Sequence, residues 1–200
     1  MSWKQCKFNI CADLYRLDGE VTARTFLRKF FGFDPGFRFL TVLRLCAWTK
    51  SIGFGGKVLY YPLRLVFRHL QYKYGYSIPY NTSIGPGLYL GHFGGVVISA
   101  EASIGWNCNI NHGVTIGITY GGKHPGVPVI GDRVYIGPGA KVIGGVTIGA
   151  DVAIGANCVV STDIPASSVV VGIPGRVVSD RGSIDYVVNT VNSPFDTEDL

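Results

Sequence analysis

Aliphatic residues recur six apart through the middle of the chain: Ile78, Ile84, Leu90 and Val96, then Ile98, Ile104, Ile110 and Ile116, then Ile130, Ile136, Val142, Ile148, Ile154 and Val160. A two-residue slip separates Val96 from Ile98, and a longer gap separates Ile116 from Ile130. Glycine follows the aliphatic residue in Ile84-Gly85, Leu90-Gly91, Ile104-Gly105, Ile116-Gly117, Ile130-Gly131, Ile136-Gly137, Ile148-Gly149 and Ile154-Gly155. A period of six fits neither a helix, at 3.6, nor an alternating strand, at 2.0. It fits a triangular coil in which each short strand turns one aliphatic side chain inward and the following glycine leaves room for a tight corner. Three hexads make one turn, and stacked turns share one core. The predicted fold class is mainly β, a parallel β-helix of hexapeptide repeats over residues 77–180, preceded by an α-helical domain over 1–76. The open ends of such a coil need covers. The N-terminal segment can supply one, and Asp163-Ile164-Pro165 and Gly172-Ile173-Pro174 break the repeat at the other. The stretch 181–200 reads as a polar, acidic, mobile tail.

Charge divides the chain at the same boundary. The net charge of +5 hides 13 Lys and Arg against 4 Asp and Glu in residues 1–76, a balance of +9, leaving −4 for the rest. Two uncharged stretches, Tyr74 to Ala100 and Ala102 to Gly122, are too regularly broken by Gly, Pro, Asn and Ser to be membrane spans. Five cysteines, Cys6, Cys11, Cys46, Cys108 and Cys158, form no Cys-x-x-Cys pair and read as buried thiols in a reducing compartment. The charged N-terminus does not resemble a secretion signal, so a cytoplasmic location is expected.

Three of the four histidines lie in the repeat region, and two share a phase. His92 follows Leu90 by two residues and His112 follows Ile110 by two. Leu90 to Ile110 is one full turn with the slip included, so the two imidazoles are expected to stack on one face of neighbouring coils, about 4.8 Å apart at the backbone. Between Ile116 and Ile130 the loop 117–129 is extruded, and it carries His124.

The repeat resembles that of the hexapeptide-repeat acyltransferases, whose parallel β-helix is left-handed against the usual crossover preference. More narrowly, Ser77 to Val178 is similar to serine O-acetyltransferases and to the O-acetyltransferases of surface polysaccharide biosynthesis. The motifs are Gly91-His92-Phe93-Gly94-Gly95, Val114-Thr115-Ile116-Gly117, Lys123-His124-Pro125, Ile136-Gly137-Pro138-Gly139-Ala140 and Gly172-Ile173-Pro174-Gly175-Arg176. The resemblance implies acetyl transfer from acetyl-CoA to a hydroxyl, with a neutral imidazole as general base and no covalent enzyme intermediate. It makes His92 the base, with His112 and His124 assisting. It assigns coenzyme A to Pro138, Ala156, Ser161, Thr162 and Arg176, with Lys141 a weaker candidate, and it implies a homotrimer with each site between two subunits. No metal is expected: some hexapeptide-repeat proteins are zinc enzymes, but the spacing of 92, 112 and 124 does not match their ligand arrangement.

Serine acetyltransferases precede the catalytic histidine with one Asp and carry a second Asp fifteen residues upstream. This chain has Gly91 and Ser77 there. With both carboxylates missing, a saccharide hydroxyl, on an acceptor that can be lipid-linked, is the expected acceptor. Serine is the alternative, and a scaffold without chemistry is a third reading. Glu101 or a backbone carbonyl is left to orient His92.

Residues 1–76 hold 17 of the 25 aromatic residues. Helical spacing is visible in Phe26, Leu27, Phe30 and Phe31, and again in Leu63, Val66, Phe67 and Leu70. These apolar faces are expected to pack as the cap or in a subunit interface. The surplus of Lys and Arg beside aromatics also suits peripheral contact with an anionic membrane. No nucleic-acid-binding module is recognisable.

Overall fold

The computed structural model describes residues 1–53 and 55–192. Four helices come first: α1 (Trp3–Asp18), α2 (Ala23–Phe31), α3 (Pro35–Ser51) and α4 (Lys57–Tyr74). Their boundaries follow local chemistry. The Ser2 hydroxyl accepts from the Gln5 N–H to open α1, and Thr22 and Thr25 form a reciprocal capping box at α2. Pro35 occupies the first turn of α3, where its missing N–H costs nothing, and Gly75 ends α4 in the left-handed region at φ 67°.

From Tyr76 the chain winds into three parallel faces. The first holds β1 (Tyr76–Ser77), β4 (Val96–Ile98), β7 (Thr115–Gly117), β10 (Lys141–Ile143) and β13 (Val159–Val160). The second holds β2 (Ser83–Ile84), β5 (Ser103–Ile104), β8 (Val129–Ile130) and β11 (Thr147–Ile148). The third holds β3 (Tyr89–Leu90), β6 (Asn109–Ile110), β9 (Tyr135–Ile136), β12 (Ala153–Ile154), β14 (Val169–Val171) and β15 (Arg176–Ser179). The hexad register survives intact. Leu90 pairs with Ile110, Ile110 with Ile136, Ile136 with Ile154 and Ile154 with Val170, and all five are buried.

The glycine after each aliphatic residue is needed for closeness rather than for an unusual backbone angle. A Cβ on Gly105 would stand 2.6 Å from the backbone of Gly131 in the next coil, and one on Gly149 would stand 2.4 Å from the Ala166 nitrogen. The left-handed backbone sits two residues later, at Asn107, Arg133 and Asp151 (φ 56°, 54° and 59°).

The helices close one end of the prism, as expected. Phe39, Leu40 and Leu43 of α3 and Phe67 and Leu70 of α4 join Tyr76, Ile78, Leu88 and Leu90 in one continuous core. A buried ion pair fixes the join: Arg44 meets Asp13 at 3.0 Å and donates at 2.7 Å to the carbonyls of Ile84 and Gly85. At the other end β15 folds back antiparallel on β14.

The expected mobile tail needs correction over residues 181–192; residues 193–200 lie outside the described residues. The chain runs back along the corner between the second and third faces. Tyr186 stacks on Tyr135 at 4.5 Å, and Asn107 and Val191 exchange hydrogen bonds of 2.9 and 3.0 Å. Val191 ends buried beside Phe8 and Ala12 of α1. The Asn side chains that receive this strap hide among polar corner residues, which is why composition alone suggested a loose end.

Candidate functional site

The corner between the third and first faces carries the histidine pair. Leu90 and Ile110 pair directly, so the residues two positions on, His92 and His112, fall one above the other. Their ring centroids lie 5.7 Å apart with the planes at 69°, and both side chains are exposed. The same register sets Pro138 above His112 and Ala156 above Pro138, and the corner backbones bond in series: Gly139 N–H to the His112 carbonyl at 2.9 Å, Asn157 N–H to the Pro138 carbonyl at 2.8 Å. Arg176 pairs with Val171 at the far end of this corner. The order along one edge is therefore His92, His112, Pro138, Ala156 and the Arg176 hairpin, four steps of about 4.8 Å, or about 19 Å. Lys141 starts a strand of the first face, and its ammonium donates to the Gly113 carbonyl beside His112.

The first of these corners is longer than the rest. Because Val97 pairs with Thr115, six residues, 91–96, fill this corner where four, 111–114, suffice one coil later, and this is the slip seen in the sequence. The extra length pushes Phe93 outward, and the Gly94 N–H is tied to the Tyr74 carbonyl at the end of α4 at 2.9 Å.

Phe93 meets the turn between α2 and α3 and closes two adjoining cavities. One, of 310 Å³, is lined by His92, Tyr89, Asp34, Pro35 and Leu17 among others. The other, of 420 Å³, extends past Asp34 to Phe31, Arg38, Lys73 and Tyr74. Sequence reasoning missed Asp34. Its carboxylate belongs to the helical segment, at the start of α3, and pairs with Lys29 at 3.4 Å while lining the cavity that holds His92. The legible signal was Asp34-Pro35-Gly36, a helix start whose glycine has a reason: a Cβ on Gly36 would stand 2.5 Å from the Leu90 carbonyl. Glu101 lies at a different corner, between the first and second faces, and does not face His92.

His124 is likewise on that other corner. The loop leaves β7 and returns at β8, closed by reciprocal Thr119 and Gly126 hydrogen bonds of 3.0 and 2.8 Å. Its tip folds over the first face's exit, where the His124 carbonyl accepts from the Gly145 N–H at 2.9 Å. Ser161 and Thr162 follow β13 at the same corner. Within one chain the candidate residues therefore form two sets, with the first face between them. His92, His112, Pro138, Ala156 and Arg176 share one corner; His124, Ser161 and Thr162 share the next. Among the described residues no group of three or more His, Cys, Asp or Glu is placed to hold a metal ion.

Comparison with known proteins agrees with this geometry. The model of the bacterial transferase hexapeptide (six repeats) matches residues 128–162. A serine acetyltransferase of Helicobacter pylori (strain J99) is 39% identical over 120 residues, covering 60% of this chain and 70% of the relative. The crystal structure of Neisseria gonorrhoeae serine acetyltransferase in complex with serine superposes with a TM-score of 0.70 at 32% identity, covering 89% of this chain and 71% of the other. That of a serine acetyltransferase from Brucella abortus in complex with coenzyme A gives 0.69 at 29% identity, covering 89% and 68%. The chain spans about half the length of other curated relatives, 45% and 58% for two of them. At 39% identity over 70% of the Helicobacter pylori relative and 32% over 71% of the Neisseria gonorrhoeae structure, the chain belongs to the serine acetyltransferase family of hexapeptide-repeat proteins.

Proposed function

We propose that this chain is an acetyl-CoA-dependent O-acetyltransferase. The observation that carries the reading is the stacked pair His92 and His112, exposed at one corner and aligned with Pro138, Ala156 and Arg176. In this reading the pantetheine arm lies along the edge and brings the thioester to the histidines, while the Arg176 guanidinium meets the 3′-phosphate. His92 takes the proton of the acceptor hydroxyl as its oxygen attacks the thioester carbonyl. A tetrahedral oxyanion forms, stabilised by corner N–H groups, and then collapses with loss of the coenzyme A thiolate, which takes a proton. A left-handed winding and a trimer are carried over from the resemblance. A trimer accounts for the split in the candidate residues, because it can bring the His124 corner of one subunit against the His92 corner of the next.

Serine is the acceptor the relatives' names support, in preference to the saccharide expected from the sequence. Asp34 supports it too, since it lines the same cavity as His92 and its carboxylate, shared with Lys29, suits an ammonium group. Two observations keep a saccharide as the second reading: Gly91 and Ser77 stand where the resemblance places two carboxylates, and the second cavity has aromatic walls. Thiol release from acetyl-CoA with L-serine and with oligosaccharides, followed by mass spectrometry of the products, tests both. His92→Ala is expected to slow transfer by about 10²–10⁴-fold. Undiminished turnover in that variant, or no acceptor-dependent thiol release at all, overturns the reading.

A further inference from the structure

Helix α4 is apolar on two faces, and the fold uses one. Phe67, Leu70 and Tyr74 are buried against α3 and the first coil. On the other side Val58, Tyr61, Leu65 and Tyr72, spaced by three, four and seven residues, form a single stripe, with Val66 beside it. Val58 is 85% exposed, Leu65 70% and Tyr72 77%. An apolar stripe left bare on a helix marks a surface that something else covers.

Charge selects the cover. The helix carries Lys57, Arg64, Arg68 and Lys73 and no Asp or Glu, within a segment whose balance is +9. A second copy meeting this face across a twofold axis would set like patch against like patch and cation against cation, and a heterologous neighbour, as in a trimer, is the outcome that the oligomeric mass reads. Anionic lipid headgroups complement the face instead. Tyr61 and Tyr72 have the apolar ring and polar tip that suit a bilayer interface, and Arg68 already lies over the Tyr72 ring at 5.8 Å, its stem along the stripe. At 18 residues α4 is about 27 Å long, and among the described residues no helix is long and apolar enough to cross a membrane. The geometry left is a helix lying in the plane of the surface.

We propose that the exposed face of α4 docks this protein on an anionic membrane surface, Val58, Leu65 and Tyr72 entering the headgroup boundary and Arg68, beside Tyr72, meeting a lipid phosphate. Lys73 and Tyr74 of the same helix line the 420 Å³ cavity that Phe93 shares with the His92 cavity. Docking thus sets the mouth of that cleft beside the bilayer, where a membrane-borne acceptor would be presented. This last consequence rests on the transfer reading above; the docking itself does not.

The test is co-sedimentation of the full chain with phosphatidylcholine vesicles, with and without phosphatidylglycerol, while the oligomeric mass is followed by analytical ultracentrifugation. Wild-type protein is expected to pellet with the anionic vesicles at low salt, to stay in solution with the neutral ones, and to be released as salt shortens the Debye length. Leu65→Glu and Arg68→Glu should each keep the wild-type mass and circular dichroism. Arg68→Glu, which changes the charge by two, should weaken partitioning about twenty-five-fold, at about fivefold per charge. Failure of the wild type to bind anionic vesicles at low salt overturns the proposal, as does equal binding by both variants. A changed oligomeric mass in Leu65→Glu also overturns it, because the face is then a subunit interface. Thiol release with soluble acceptors in both variants reads the transfer reaction separately from docking.

Discussion

Replacing Arg44 with Met tests whether the helical cap is held to the coil by charge or only by apolar packing. The Arg44 guanidinium meets both Asp13 oxygens, at 3.0 and 3.1 Å, and donates at 2.7 Å to the carbonyls of Ile84 and Gly85. Asp13 also accepts the Leu88 N–H at 2.9 Å, and its side chain is 1% exposed. Methionine retains the apolar stem and removes the charge, so a buried carboxylate loses its counterion. Breaking such a pair from one side costs about 3–5 kcal/mol, a large share of a domain's stability. Burial already pushes the Asp13 carboxyl upward, against the pull of Arg44 and of backbone N–H groups. Without Arg44 the upward push grows. A carboxyl raised in the folded state binds more protons folded than unfolded, so the variant's stability should fall as pH rises through that value and recover on acidification. Urea unfolding of wild type and variant at pH 7 and pH 5 reads both effects. The expected result is a loss of about 3–5 kcal/mol at pH 7 that shrinks at pH 5, with Asp13→Leu combined with Arg44→Met less damaged than Arg44→Met alone. A loss below about 1 kcal/mol, or one that grows at pH 5, would refute the assignment of the pair as the joint.

The Cβ added by Gly36→Ala would stand 2.5 Å from the Leu90 carbonyl, so α3 must shift away from the His92 corner. Thermal melts should show a loss of about 1–3 kcal/mol despite alanine's better helix propensity, and acceptor KM should rise; a stabilised variant with unchanged KM would disprove the close approach. Hydrogen bonds from Arg133 hold the Asp151 carboxyl below its ordinary 3.8, against burial. That contribution is present above pH 4 and is lost as pH falls through the depressed value. Asp151→Asn, which tolerates the left-handed backbone there, should cost about 0.5 kcal/mol at pH 7 after solvent screening; in acid melts the gap to wild type should close as pH drops below 4. Burial pushes the thiols of Cys6 and Cys46 up to about 11 and that of Cys108 up to about 12. A chromogenic disulfide reagent should therefore leave these three untouched in native protein and titrate them in denaturant, and fast native labelling of Cys108 would contradict its place in the core.

The parts of the molecule legible in the sequence are those set by repetition. Ile110, Ile136 and Ile154 stack because each hexad obeys the same packing rule, so phase alone placed His92 over His112, while Pro138 came from the resemblance. Phase does not say which corner of the prism an insertion leaves from. His124 is twelve residues from His112 in sequence, yet a whole face separates them, because the chain crosses β7 before the loop begins. Asp34 was hidden for a different reason. It lies outside the repeat, and its approach to His92 depends on the fit between Gly36 and Leu90, a tertiary contact with no period to reveal it. The strap at 181–192 was lost to composition, since its anchors are single contacts such as Asn107 with Val191.

The two-residue slip joins these legible and hidden parts. In an ideal coil the 91–96 corner would need four residues, as at 111–114, and Phe93 would have no place. The extra length lets Phe93 leave the prism and sets Gly94 under the last carbonyl of α4, while Gly36 brings α3 onto Leu90 from the other side. The cavity lined by His92 has one wall from the coil and one from the cap, and Phe93 alone carries the coil into the adjoining cavity, whose other walls are helical. A uniform repeat would present histidines on an open edge. The irregular first corner converts that edge into a cleft whose far wall can vary without disturbing the coil. On the proposed transfer reading, acceptor choice would rest with the helical segment and the thioester track with the repeat, so exchanging residues 31–38 should alter acceptor KM while leaving coenzyme A binding unchanged.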